Sequence, residues 1–134
     1  ALPFAQGEQK RAGNKIALLV FGSLLSTALK VGEALDASVY NMRFVKPLDT
    51  SLIDTAAGSH ELIVTIEDNA IAGGAGSAVC EYLNSQHSAY NVLQIGFPDE
   101  LINHGQPEEL LSDWKLDKQG MLKTIQAHMK ELLI

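Results

Sequence analysis

A glycine-rich segment in the middle of the chain is the part of the sequence whose residue types best suit chemistry. Gly73, Gly74 and Gly76 lie close together, and the residues from about Ser77 to Asn84 have the pattern of a helix. In an open α/β sheet, ligands bind beyond the carboxyl ends of the strands, where a helix N-terminus presents free amides to anions. An anion- or nucleotide-binding loop is therefore one interpretation of this segment.

The same segment matches the known nucleotide-binding motifs poorly. Gly74 and Gly76 fit the first two glycines of a dinucleotide fingerprint, but Val79 stands where the third glycine is needed. The segment follows the third predicted strand instead of the first, and the sequence lacks the Gly-Lys-Ser or Gly-Lys-Thr of a P-loop. The interpretation we favour is that the glycines let the loop turn sharply and pack against a neighbouring backbone or domain.

Two adjacent carboxylates, Glu67 and Asp68, stand at the predicted carboxyl end of the strand before the glycines. Adjacent side chains on an extended chain point to opposite faces, so this pair is poorly arranged for acid/base catalysis. We expect one carboxylate to cap the loop and the other to contact a partner.

The histidines and the single cysteine give weaker signals. No histidine has metal-ligand spacing with another or with Cys80, so each is expected to be a surface or hydrogen-bonded residue. His104, before Gly105 in an irregular segment, is the one retained as a candidate. Cys80 is expected to be buried on the inner face of its helix and slow to react. The histidines are His60, His87, His104 and His128.

Composition excludes several classes of function. The chain has 134 residues, 46% of them hydrophobic, and a formal net charge of −6, which argues against a nucleic-acid surface. The longest apolar run, Ile16 to Phe21, is too short to cross a membrane. One cysteine allows no internal disulfide, which is consistent with a reducing compartment.

Apolar strands alternate with amphipathic helices along the chain, which predicts an α/β fold with a mostly parallel sheet and helices on both faces, in three layers. Residues 1–15 are interpreted as an interdomain linker and short ribbon, and residues 16–134 as one domain. The predicted strands are Ile16–Phe21, Ser38–Phe44, Glu61–Glu67 and Asn91–Ile95, the last broken by Gly96–Asp99. The first predicted helix is capped by Gly22-Ser23 and ends near Leu35, and the second is capped by Asp49 or Thr50 and ends near Gly58. A third covers Ser77–Asn84, and a short fourth begins at Pro107. The last helix is capped by Asp117, and its buried stripe consists of Met121, Ile125, Met129 and Leu132 or Leu133.

Four segments, in order, resemble the C-terminal domain of the thiamine-dependent 1-deoxy-D-xylulose-5-phosphate synthases, within the transketolase superfamily. Asp68 replaces the glutamate that is more usual there. The tail, including Gly105, Leu116-Asp117 and Gly120-Met121, continues the resemblance, which covers essentially the whole chain. The four segments are Ile16–Gly22, Met42–Asp49, Ile66–Val79 and Ile95–Asp99.

The resemblance implies a cytoplasmic, homodimeric enzyme that condenses pyruvate with glyceraldehyde 3-phosphate and feeds isoprenoid, thiamine and pyridoxal synthesis. It also implies that thiamine diphosphate and Mg²⁺ are bound by two earlier domains, whose motifs do not occur in this sequence. No catalytic, cofactor-binding or metal-binding residue of the family can therefore be assigned to this segment, and the segment by itself is expected to be inactive.

Two functions follow from these observations. The first is a structural domain that packs on the preceding domains of the same polypeptide and supports dimerisation, with no nucleic-acid or membrane partner. The second is a free-standing anion- or nucleotide-binding regulatory module that uses the Gly73–Gly76 loop. The candidate residues for the interdomain contact or the anion loop are Arg43, Phe44, Glu67, Asn69, Ile71, Gly73, Gly74, Gly76 and His104.

Overall fold

The structure, a computed structural model, describes residues 6–43, 47–70, 74–86, 89–97 and 115–134. Its strands form one sheet in the order β1-β3-β2-β4-β5. Strands β2 to β5 pair in parallel, whereas β1 lies antiparallel to β3 at one edge. The predicted mostly parallel sheet is therefore confirmed. The strands are β1 (Glu8–Arg11), β2 (Ile16–Phe21), β3 (Ser38–Asn41), β4 (Leu62–Ala70) and β5 (Val92–Phe97).

Helices cover both faces of this sheet, which confirms the predicted three layers. Alternate residues of a strand point to opposite faces, so the fully buried strand β2 contributes to two hydrophobic cores. Leu18 on one face packs with α1 and α4, and Leu19 on the other packs with α2 and α3. The helices are α1 (Leu25–Leu35), α2 (Thr50–Ser59), α3 (Ala75–Asn84) and α4 (Lys118–Leu132).

Two predicted helix starts are confirmed by their caps. The carboxylate of Asp49 accepts a hydrogen bond from the backbone N–H of Leu52 at 3.1 Å, and Asp117 accepts one from Gly120 at 2.9 Å. Each carboxylate satisfies an amide that the first turn of a helix leaves without an intrahelical acceptor. In the predicted stripe of α4, Met121 and Ile125 are fully buried and Met129 and Leu132 partly buried, but Leu133 is 92% exposed.

The prediction that Gly22-Ser23 caps α1 is wrong. Helix α1 has Leu24 at its N-cap and no side-chain cap, and Ser23 instead bonds to Asp68. The predicted end of β5 is also wrong, because the strand continues to Phe97, whose backbone lies beside Ala70 of a longer β4.

The predicted helix at Pro107 and the residue Phe44 lie outside the described residues. The predicted extent of β3, Ser38–Phe44, is wrong, because the strand ends at Asn41 and the described Met42 and Arg43 lie beyond it. Within the described ranges, no helix combines the length and the apolarity that crossing a membrane requires.

Candidate functional site

The candidate site lies where the carboxyl end of β4 meets the N-terminus of α3. Thr65 and Glu67 are two residues apart on β4, so their side chains share the face of the sheet that α3 covers. Gln94 of β5 is the register partner of Thr65 on the neighbouring parallel strand. These three polar side chains and Gly76 define what we call the Glu67 cluster.

Glu67 caps helix α3 from a distance in sequence. Its Oε1 accepts a hydrogen bond from the backbone N–H of Ala75 at 3.2 Å, and its Oε2 accepts one from Gly76 at 2.6 Å. Gly74, at the N-cap position, has no side chain with which to do this. The carboxylate of Glu67 therefore occupies two of the amides that an anion at this helix terminus would use.

Burial of Glu67 sets the direction of its pKa. The residue is 1% exposed, and loss of solvent raises the pKa of its carboxyl group above the ordinary value of 4.5. The backbone N–H groups of Gly76 and Ala75 act in the opposite direction because they stabilise the charged form, and the negative charge of Asp68 adds to the increase.

Gly76 is required here because of the space around its Cα. A Cβ at this position would lie 2.6 Å from Oγ1 of Thr65, 2.8 Å from Oε1 of Gln94 and 2.9 Å from Oε2 of Glu67. Backbone conformation does not explain this glycine, because the φ angle of Gly76 is outside the left-handed region. Among the described glycines, only Gly22 has a positive φ, at +95°. The glycine thus permits a close approach of α3 to the side chains of the sheet.

Cys80, on the next turn of α3, contacts the same cluster. The side-chain N–H of Gln94 donates to the sulfur of Cys80 at 3.3 Å. Burial raises the pKa of the Cys80 thiol, and the bond from Gln94 offsets part of that increase. A raised pKa lowers the thiolate fraction and hence the reactivity. The prediction that Cys80 is buried is nevertheless wrong, since Cys80 is only partly buried.

Asp68, the neighbour of Glu67, contacts a different strand end. Its Oδ2 accepts hydrogen bonds from the backbone N–H of Ser23 at 2.9 Å and from Oγ of Ser23 at 2.6 Å. These bonds hold the turn after β2, where Gly22 adopts positive φ, against the end of β4. The two carboxylates therefore have separate structural roles, as expected from their alternation along the strand.

The predicted interdomain residues are only partly described. Arg43, in the left-handed region at φ 64°, forms an ion pair of 2.9 Å with Glu8 and holds the pKa of that carboxyl below its ordinary value. Asn69 belongs to β4 through its backbone. Four other candidates lie outside the described residues: Phe44, Ile71, Gly73 and His104. Of the described candidates, the structure brings together Glu67, Gly74 and Gly76.

The described histidines contact other residues of this chain. His60 Nδ1 lies 2.8 Å from the carbonyl oxygen of Ala56, an acceptor, so this nitrogen carries a proton; Nε2 lies 2.7 Å from Oγ of Ser38. His128 Nδ1 is 3.8 Å from the carboxylate of Glu131. His87 lies outside the described residues. In the part of the chain that the structure describes, no group of three or more His, Cys, Asp or Glu side chains is arranged to hold a metal ion.

Thr65 and Gln94 are the residues of the cluster that the sequence analysis did not select. Each is a polar residue within an apolar strand segment, and that interruption was the available signal. Their adjacency could not be inferred, because it depends on the register between β4 and β5.

Comparison with known proteins identifies relatives along almost the whole chain. The family model described as "Transketolase, C-terminal domain" matches residues 5–121. Proteins named 1-deoxy-D-xylulose-5-phosphate synthase from Shewanella denitrificans and Nitrosomonas europaea are each 53% identical, over 98% and 92% of this chain respectively. The chain spans only about a fifth of the length of these curated relatives, 21% and 20%.

A solved structure described as a split-gene transketolase, inactive beta4 tetramer, has a similar fold. The TM-score is 0.83 at 26% sequence identity, over 94% of this chain and 43% of that chain. The α/β fold class and the resemblance found in the sequence are confirmed.

Proposed function

Since this chain belongs to the transketolase C-terminal domain family, we propose that it is the structural, dimer-supporting C-terminal domain of a 1-deoxy-D-xylulose-5-phosphate synthase. One observation carries the proposal: the chain matches such a synthase at 53% identity over 98% of its own length but only 21% of the relative's. A segment related in this way has the sequence of one domain of a larger enzyme.

The proposed whole enzyme is a cytoplasmic, homodimeric transferase that condenses pyruvate with glyceraldehyde 3-phosphate and releases CO₂. The product, 1-deoxy-D-xylulose 5-phosphate, supplies isoprenoid, thiamine and pyridoxal synthesis. Thiamine diphosphate and Mg²⁺ would be held by the preceding domains, as the resemblance to the synthases implies. When bound, that cofactor supplies the carbanion chemistry of the reaction.

The residues of this chain would contribute by shaping a surface for the preceding domains. Glu67 fixes the N-terminus of α3 and Asp68 fixes the turn at Ser23, so both order the carboxyl-end edge of the sheet. We place the interdomain contact at this edge, with Arg43 and the glycine-rich segment as its candidates.

The division into an interdomain linker and short ribbon, residues 1–15, and a domain, residues 16–134, is part of the same proposal. The backbone N–H of Gly7 donates to Asp49 Oδ2 at 2.8 Å, and Glu8 of β1 lies opposite Asn41 of β3 in the sheet, at the carboxyl end of β3. The N-terminal segment is thereby held at the edge of the sheet where we place the interdomain contact. Asp49 holds it with the carboxylate that also caps α2.

The alternative of a free-standing anion- or nucleotide-binding module is not supported. The amides of Ala75 and Gly76, which such a ligand would need, already bind Glu67. An entering phosphate would have to displace a buried carboxylate and would meet its negative charge.

Isothermal titration of this chain with thiamine diphosphate and Mg²⁺ tests the proposal. We expect no binding, while a full-length synthase that contains this sequence binds the cofactor and forms 1-deoxy-D-xylulose 5-phosphate. Deleting residues 16–134 from that synthase should abolish the dimer and the activity. Micromolar cofactor binding by this chain, or an active dimer after the deletion, would overturn the proposed role.

A further inference from the structure

Two buried polar atoms in the Glu67 cluster have no hydrogen-bond partner among the described residues: Oγ1 of Thr65 and Oε1 of Gln94. Thr65 is fully buried. A buried polar atom without a partner destabilises the folded state, and such atoms in folded proteins usually bind ordered water. We infer that the Glu67 cluster, beneath the N-terminus of α3, is a binding site for one water molecule.

The three oxygen atoms of the cluster lie close enough together for one bridging molecule. Oγ1 of Thr65, Oε1 of Gln94 and Oε2 of Glu67 are each within 3 Å of the position that a Cβ on Gly76 would take, a position beside the Gly76 backbone that the bridging atom itself does not occupy. No two of them can therefore be more than about 6 Å apart, which is the span of two hydrogen bonds of about 2.8 Å through one bridging oxygen.

The hydrogen-bonding capacity of the three groups also matches water. The amide oxygen of Gln94 can only accept, and Oε2 of Glu67 can accept a further bond beside the one from Gly76. The hydroxyl of Thr65 can donate. One water molecule would donate to Gln94 and to Glu67 and accept from Thr65, which satisfies both atoms that lack a partner.

The same groups favour water over a metal ion or an organic ligand. The described residues contain one carboxylate at this point and no group of three or more His, Cys, Asp or Glu side chains able to hold a metal ion. Thr65 and Glu67 are both buried, and the three oxygen atoms, at most about 6 Å apart, are too close together to surround a larger ligand. The inference does not depend on the proposed enzymatic function, because it rests on contacts within this chain.

Replacing Thr65 by valine tests the site through the sign of the change in stability. Thr65→Val keeps the shape of the side chain and removes the donor to the water, so we expect the urea midpoint of unfolding to fall. Thr124→Val is the matched control, because Thr124 donates to the carbonyl of Gly120 at 2.9 Å and its loss calibrates one hydrogen bond. If Thr65 has no partner in solution, valine removes an unsatisfied atom and the midpoint rises or stays constant, which overturns the inference.

Magnetisation transfer from water to the amides of Gly76 and Thr65, measured by NMR, provides a second test that needs no variant. A long-lived water should give cross-peaks in the wild type and in Thr65→Ser, which keeps the hydroxyl. Absence of these cross-peaks in the wild type overturns the inference. An unfolding midpoint that changes when choline replaces K⁺ and Na⁺ at constant ionic strength would assign the site to a cation and overturn it equally.

Discussion

The N-termini of α3 and α4 are both capped by a carboxylate, but the carboxylates come from different places. Asp117 immediately precedes α4, is partly exposed, and accepts a bond from Gly120 three residues later. Glu67 belongs to a strand, is buried, and reaches Ala75 and Gly76 across the glycine-rich segment. The α4 cap is a local feature of the sequence, whereas the α3 cap exists only once the strand and the helix have packed together.

This difference changes what the loss of each cap would cost. Water can reach the first turn of α4 and replace the Asp117 carboxylate. At α3, the amide of Gly76 belongs to a buried residue, and without Glu67 its hydrogen bond has no ready substitute. A buried amide without an acceptor carries the full cost of its desolvation.

Removing each carboxylate should give the largest contrast between the two termini. We expect Glu67→Ala to lower the free energy of unfolding by roughly 3 kcal/mol, because two amides lose their acceptor in a buried site. Asp117→Ala should lower it by about 1 kcal/mol, the ordinary value for a cap exposed to water. Urea denaturation of both variants measures this, and equal losses would show that the two caps do not differ in kind.

Adding a methyl group to Gly76 tests the close packing of α3 on the sheet. Gly76→Ala would place a carbon within 2.9 Å of three oxygen atoms, so we expect a loss of about 2 kcal/mol. Gly58→Ala in α2 is the matched control, since nothing lies within 4 Å of its added carbon. That control should gain up to about 1 kcal/mol from helix propensity. Thermal unfolding that ranks the two variants the other way would contradict the packing described here.

The pH dependence of the free energy of unfolding should show the smallest of these effects, but it reports specifically on the protonation of Glu67. The raised pKa of Glu67 means that the folded state holds this proton more tightly than the unfolded state. The stability of the wild type relative to Glu67→Gln should therefore fall as pH rises from 4.5 through the raised pKa of the folded state, and should be constant on either side of that window.

Glu8 gives the opposite sign and serves as the control for that experiment. Its pKa is lowered, mainly by the hydrogen bond from Arg43, so the wild type should lose stability relative to Glu8→Gln as pH falls below 4.5. Urea unfolding across a pH series measures the difference in stability from the wild type for Glu67→Gln and for Glu8→Gln separately. A difference curve for Glu67 with the same sign as that for Glu8 would mean that charge stabilisation, not burial, dominates at α3.

Much of the fold could be predicted from local features. The unbroken apolar run Ile16–Phe21 is the pattern of a strand buried on both faces, and it is the central strand β2. Asp49 and Asp117 stand directly before the helices they cap, so their role follows from position alone. Ser23 has the same local pattern, but it donates its backbone N–H and its hydroxyl to Asp68 of β4 instead of accepting from a helix amide, and the prediction of a cap failed there.

The sequence by itself determined the fold class, the family resemblance and the opposite orientations of Glu67 and Asp68, because strand periodicity and local capping depend on near neighbours. Only the tertiary structure decided which groups these carboxylates bind and why Gly76 has no side chain. The Glu67 cluster forms from β4, β5 and α3, and its geometry depends on the pairing of Thr65 with Gln94 and on how closely α3 packs on the sheet. Those distances depend on the packing of whole elements, and no short stretch of sequence encodes them.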